Sequence, residues 1–253
     1  MAGENPRAWP NARIGCSGWN YDDWRDGAFY PPRCPARRWL ALYAERFDTV
    51  ELNATFYRLP RRSAAERWAQ ETPEGFTFAV KVSRYVTHVK RLQEAGRHLD
   101  LLLERIEPLV CARKLGPLLW QLPPTFKRDD ARLSAALAEL PRGFRHAIEF
   151  RHESWFAPEV MDMLRAHDFA LVIADRPEIR SFQTRELTSD FVYVRFHHGR
   201  GRRGNYSHSE LREWAQGIRR WAGDRQVYAY FNNDWEAFAP ANAATLARLL
   251  GAR

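Results

Sequence analysis

Long apolar runs are missing from this chain of 253 residues: none reaches the roughly 18 residues that would span a membrane. The opening MAGENPRAWPNAR likewise lacks the apolar centre of a secretory signal. Cysteine is scarce. Cys16, Cys34 and Cys111 form an odd set without CxxC spacing, which implies neither a zinc site nor a disulfide framework. No GxSxG elbow or Ser–His–Asp order is present, which argues against covalent acyl transfer. Repeats, low-complexity tracts, linkers and a Gly-rich phosphate turn are absent too. A soluble, cytoplasmic protein without membrane contact is the expectation, and the oligomeric state is not legible.

Acidic residues are outnumbered, 31 against 39 Lys and Arg, for a net charge of +8. That excess favours anionic partners, although arginine-rich chains are often basic without binding nucleic acid. Residues 1–12 read as a flexible tail and residues 13–253 as one domain. Period-two alternation predicts strands at Ile14–Ser17, 49–53, Phe76–Val82, Leu115–Leu122, His146–Phe150, Ala170–Asp175, Phe191–His197 and Gln226–Asn232. Helical spacing marks Pro35–Phe47, Ser63–Gln70, Leu99–Cys111, Asp130–Leu140, Pro158–His167, Ser207–Trp221 and Pro240–Leu250. Ser63 with Glu66 has the pattern of a capping box. The stretch 176–190 shows no helix pattern. Eight strands, nearly all alternating with helices, predict a single (β/α)8 TIM barrel of the α/β class. An open doubly wound sheet is the runner-up.

In such a barrel alternate strand residues point inward. With the apolar face of each strand turned to the helices, the inward set holds Gly15 and Ser17, Glu51 and Asn53, Lys81, Gln121, Glu149 and Arg151, Asp175, Arg195 and His197, and Tyr228, Tyr230 and Asn232. Every strand thus places a polar group near its C-terminal end, where barrel enzymes carry their active sites. Three carboxylates facing three cations can also be a self-contained network that neutralises itself.

If the ring is a site, Glu51 or Glu149 serves as general acid or base, with Lys81 as acid or electrostatic stabiliser. His197 can shuttle a proton near neutral pH. Asn53, Arg151, Arg195 and Asn232 would orient the ligand, with Ser17, Gln121 and Asp175 beside them. No cofactor is expected. Charge balance argues against a metal cage, although a single ion on Glu51, Glu149 and Asp175 stays open. The seventh loop, HHGRGRRGNY, combines close-approach glycines with Arg200, Arg202 and Arg203. It reads either as a phosphate site above Arg195 or as a solvated basic loop. Trp19, Tyr21, Trp24, Phe29 and Tyr30 of the first loop, with Phe56 and Tyr57 of the second, either stack on bases or sugars or form a satellite core.

The same residues resemble the DUF72 (YecE-like) family. The resemblance runs from about Ile14 to Leu250 and rests on ordered blocks: GCSGWNYDDW at 15–24, FYP at 29–31, TVELNATFYRLP at 49–60 and TPEGFTFAVKV at 72–82. THVKRL at 87–92, KLGPLLWQLPPTF at 114–126, EFRHESW at 149–155 and VYAYFNND at 227–234 continue it. It implies a TIM barrel and no established reaction. Such barrels resemble the endonuclease IV and xylose isomerase-like group, which is the ground for a nucleic-acid reading. The histidine-rich metal set of endonuclease IV is missing here. In strand seven the family has one His before Gly, whereas this chain has His197–His198–Gly199, so which histidine faces the barrel is open by one position.

The expectation from all this is an enzyme or ligand-binding barrel for a small phosphorylated or anionic compound. Its chemistry would be acid–base, of a hydrolase or isomerase kind. The alternative is a nucleic-acid-binding protein.

Overall fold

β-branched and aromatic residues in short runs form eight parallel strands that close on themselves in sequence order, β1 to β8. The structure, a computed structural model, describes residues 11–251. The strands are β1 Ala12–Cys16, β2 Thr49–Leu52, β3 Thr77–Lys81, β4 Leu115–Gln121, β5 His146–Glu149, β6 Phe169–Asp175, β7 Phe191–Phe196 and β8 Gln226–Phe231. Of the expected tail, residues 1–10 lie outside the described residues, while Ala12 already pairs with Val227 of β8.

Helices cover the outside: α1 Trp39–Ala44, α2 Ala54–Tyr57, α3 Arg62–Glu71, α4 Ala95–Cys111, α5 Asp130–Glu139, α6 Pro158–Ala166, α7 His208–Trp221 and α8 Phe238–Gly251. The expected Ser63 cap is corrected. α3 starts one residue earlier, after the extended Arg61, and has no side-chain cap. A complete capping box stands instead on α7, where Ser207 accepts from the Glu210 N–H and Glu210 accepts from the Ser207 N–H. Between β6 and β7 the chain runs through 176–190 without a helix, in line with its pattern.

Two apolar assemblies follow from strand alternation. The larger lies between sheet and helices. The smaller fills the barrel, where Ala79, Ala147, Ala170 and Ala174 on β3, β5 and β6 leave room for Tyr193, Tyr228 and Tyr230 on β7 and β8. Trp24, Phe29 and Tyr30 pack with Trp39 and Tyr43 under the first loop and extend the larger core there.

The β1–β2 seam is the barrel's thinnest, with a single register pair at Cys16 and Val50. Tyr43 of α1 bridges it. Its hydroxyl accepts from the Cys16 N–H at 2.8 Å and donates to the Thr49 carbonyl at 2.9 Å. Gly15 leaves the space: a Cβ there would collide with the Thr49 carbonyl and come within 2.9 Å of the Tyr43 oxygen. Gly15→Ala is therefore expected to cost about 1–3 kcal/mol, as overpacking does. Thermal denaturation reads it, and an unchanged melting temperature would mean that the seam has slack.

Candidate active site at the barrel mouth

The last inward residues of β2, β5 and β7 meet inside the barrel. Arg195 of β7 lies between two buried glutamates. Its Nε and Nη2 donate to the two oxygens of Glu51 at 2.9 and 2.6 Å, and its Nη1 donates to Glu149 Oε2 at 2.6 Å. The remaining carboxylate capacity is also taken. Glu51 accepts from the Ser17 and Tyr193 hydroxyls, each at 2.7 Å. Glu149 accepts from Gln121 Nε2 at 3.0 Å and from Arg151 Nε at 2.9 Å. Burial pushes both carboxyls up, but the Arg195 charge and these donors outweigh it and hold both below their ordinary value, Glu149 the further. Arg195 is locked in its charged form by the same pair.

Lys81 stands apart from this lattice. Its side chain, at the end of β3, is 8% exposed. Among the described residues no hydrogen bond or ion pair to its amine is found. Instead Nζ lies 3.9 Å from the centroid of the Phe56 ring, a cation–π geometry. Burial first and the Arg195 charge second bring the amine down to about 7, against the opposing pull of Glu51 and Glu149. His88 packs edge-on against the same Phe56 ring, at 5.1 Å between centroids, with Nδ1 2.9 Å from the Thr87 hydroxyl. Burial lowers both His88 and His197 to about 4, so each is neutral at pH 7.

His197 continues the inward series Tyr193–Arg195–His197, which settles the choice left by the His197–His198 pair. Its Nε2 lies 3.4 Å from Arg195 Nη1, and its Nδ1 lies 3.2 Å from Asn232 Nδ2. His198 turns away to the Gly199 carbonyl. Ser17, Glu51, Gln121, Glu149, Arg151, Arg195, His197 and Asn232 thus form one connected cluster, with Lys81 beside it. Asn53 joins through the Ser17 carbonyl, which accepts from Asn53 Nδ2 at 3.1 Å and from the Tyr21 hydroxyl at 2.5 Å.

Three expectations are corrected. Asp175 is not in the ring: Ala170, Val172 and Ala174 face inward, so Asp175 faces out and takes Arg180 at 3.0 Å and the Tyr206 hydroxyl at 3.0 Å. Arg195 offers no fork to a phosphate, since both glutamates occupy it. The seventh loop is not a vacant anion cradle either. Arg202 and Arg203 both pair with Glu236 of the eighth loop, and the Gly199 and Gly201 N–H groups bond to the Gly204 and Asn205 carbonyls.

Trp19 and Tyr21 line a cleft of about 620 Å³ between the first two loops, together with Asn53 and Trp68. Trp19 meets Trp68 edge-on. Tyr57 is 73% exposed and meets Phe56 edge-on. Two contributors escaped sequence reasoning. Tyr193 was legible from its parity with Arg195. Asp234, just beyond β8, follows no alternation; burial raises its carboxyl to about 7, and its Oδ1 is buried without a hydrogen-bond partner. Among the described residues no three His, Cys, Asp or Glu side chains converge as metal ligands, and no helix is long and apolar enough to cross a membrane.

Comparison with known proteins places this architecture. A DUF72 family protein from Thermotoga maritima (TM1631) superposes with a TM-score of 0.84 at 29% identity, over 95% of this chain and 99% of that one. The UPF0759 protein YunF of Bacillus subtilis is 26% identical over 94% of both chains. YecE of Escherichia coli is 38% identical over 47% of this chain and 43% of its own length. An AP endonuclease of family 2 from Brucella melitensis, at 13% identity and a TM-score of 0.52, shares the fold. The model of the family described as "Protein of unknown function DUF72" matches residues 13–253, and this chain belongs to that family.

Proposed function

We propose that the barrel mouth binds a small anionic compound and that Lys81 exchanges a proton with it. One observation carries this reading: a nearly buried amine with no carboxylate left to hold it, because Glu51 and Glu149 are spent on Arg195, Arg151 and neutral donors. A lysine that only neutralised a glutamate would contact one. An amine near 7 holds both protonation states at working pH, which suits a general acid or base. Glu51 and Glu149, whose oxygens are occupied, then act as the frame that fixes Arg195 and Arg151. Arg151 commits its Nε to Glu149, and its two terminal nitrogens, without a partner among the described residues, are left for an anion such as a carboxylate or phosphate.

A thermal-shift screen with small carboxylates, sugar phosphates and nucleotides tests it. A ligand at about 100 times its Kd adds about 2.7 kcal/mol, which raises the melting temperature by roughly 5–10 °C for a chain of this size. The shift should vanish in Lys81→Met. A shift that survives that change, or none with any anion, would sink the reading.

A second reading is supported by the exposed Tyr57, Tyr85 and Trp235 of the second, third and eighth loops, all on the same face. Rings of this kind can stack on the bases of a single strand. Oligonucleotide binding that falls steeply with salt would favour it.

A further inference from the structure

Arginine supplies nearly all of the positive charge in this chain: only four of its 39 Lys and Arg residues are lysines, namely Lys81, Lys90, Lys114 and Lys127. Three of these have plain roles. Lys114 is tied down by the Ala69 and Thr72 carbonyls and the Thr72 hydroxyl. Lys90 pairs with Glu94 on the surface, and Lys127 is exposed. Lys81 alone of the four is buried at the C-terminal end of a barrel strand. A guanidinium there would supply the same charge and better bidentate contacts, but it would never give up its proton. What lysine adds at this position is a lone pair.

We propose that Lys81 is an imine-forming amine whose Nζ condenses with the carbonyl carbon of a small anionic aldehyde or 2-oxo acid. This rests on the anion-binding reading above and names its substrate class. The geometry that carries it is an amine on an aromatic face, without a hydrogen bond among the described residues, beside two guanidiniums that disfavour its protonation, of which Arg151 keeps terminal nitrogens that can hold a carboxylate. Apolar surroundings and a neighbouring cation are the two means by which proteins make a lysine nucleophilic. The Nζ lone pair attacks the carbonyl carbon, and the C–O π electrons move to oxygen. The carbinolamine then loses that oxygen as one water, which carries off both N–H protons and leaves the C=N bond. His88, against the same ring, is neutral at pH 7 and can relay those protons.

Reductive trapping tests this on the intact protein. Wild-type protein is incubated at pH 7 with glyoxylate, the smallest anionic aldehyde, and sodium cyanoborohydride, then digested and mapped by mass spectrometry. At pH 7 about half of the Lys81 amine is free, against less than about one part in a thousand of an ordinary lysine. Carboxymethylation of Lys81 is therefore expected about a hundredfold or more faster than that of Lys127, with a rate that saturates in glyoxylate. Modification confined to Lys90, Lys127 or the N-terminus overturns the proposal. So does a Lys81 rate that rises linearly without saturation, which would mark an accessible amine with no binding site. A glyoxylate-dependent rise in melting temperature with no adduct at Lys81 removes the imine and leaves the anion-binding reading standing. No thermal shift with any anion removes that reading itself.

Discussion

Replacing Arg195 by methionine is expected to destabilise the fold by about 3–5 kcal/mol at pH 7, the cost of leaving buried charges without their partner. Two carboxylates lose their shared cation at once, because Arg195 donates to both Glu51 and Glu149. The pH dependence should invert as well. In the wild type both glutamates sit below the ordinary value of 4.5. Their contribution is present above that value and is lost as pH falls through the folded pKa values. Without Arg195, burial dominates at Glu51 and raises its carboxyl above the unfolded value, while Glu149 keeps only the Arg151 charge against its burial. The variant is then most stable at low pH and weakens as pH rises through the new folded value of Glu51. Urea titrations at pH 5 and pH 7 separate the cases. A variant that loses less than about 1 kcal/mol, with the wild-type pH trend, would mean that solvent reaches the glutamates and the frame is not closed.

Lys81→Met should act in the opposite direction and stabilise the protein. An amine with an ordinary value of 10.5 held at about 7 in the fold costs up to about 5 kcal/mol, and methionine fills a similar volume without that charge. The unfolded chain binds the proton more tightly than the folded one, so the penalty is complete below about pH 7. It fades as pH rises toward 10.5, where neither state is charged. The stability gap between Lys81→Met and wild type should therefore be widest at and below neutrality and close in alkaline buffer. A more stable variant that has lost its ligand is what a functional residue kept at the expense of stability produces. A less stable variant would put Lys81 among the supports of the ring instead.

Most of the barrel was legible because each strand alternates, and alternation is a local property. Parity alone also brings Glu51, Lys81, Glu149 and Arg195 together. Where the alternation fails, the reading fails. β6 reads FALVIAD, apolar on both faces, so nothing local marks Asp175 as outward; only its parity opposite to the inward Ala174 does. Pairing partners are a different matter. The sequence around Arg202 and Arg203 says nothing of Glu236, more than thirty residues on, which holds both. The balance of charges in the ring was likewise visible, but not that Arg195 would satisfy both glutamates and so leave Lys81 alone. That outcome depends on side-chain reach across the barrel axis, which is set by strand register.

The wall between β5 and β6 ends early. β5 pairs with β6 only as far as Leu171, and beyond it Gln183, from the helix-free stretch before β7, approaches the Ala174 N–H and the Val172 carbonyl at 3.4 and 3.5 Å. An amide side chain thus stands where a neighbouring strand would otherwise be. A strand leaves a sheet only as part of a cooperative event, whereas one side chain can swing out by itself. The top of this wall can therefore breathe on the fast timescale of local fluctuations while the rest of the barrel keeps its ladder. It lies just past Glu149 and Arg151, so a molecule entering the mouth would find one hinge-like edge in an otherwise rigid collar.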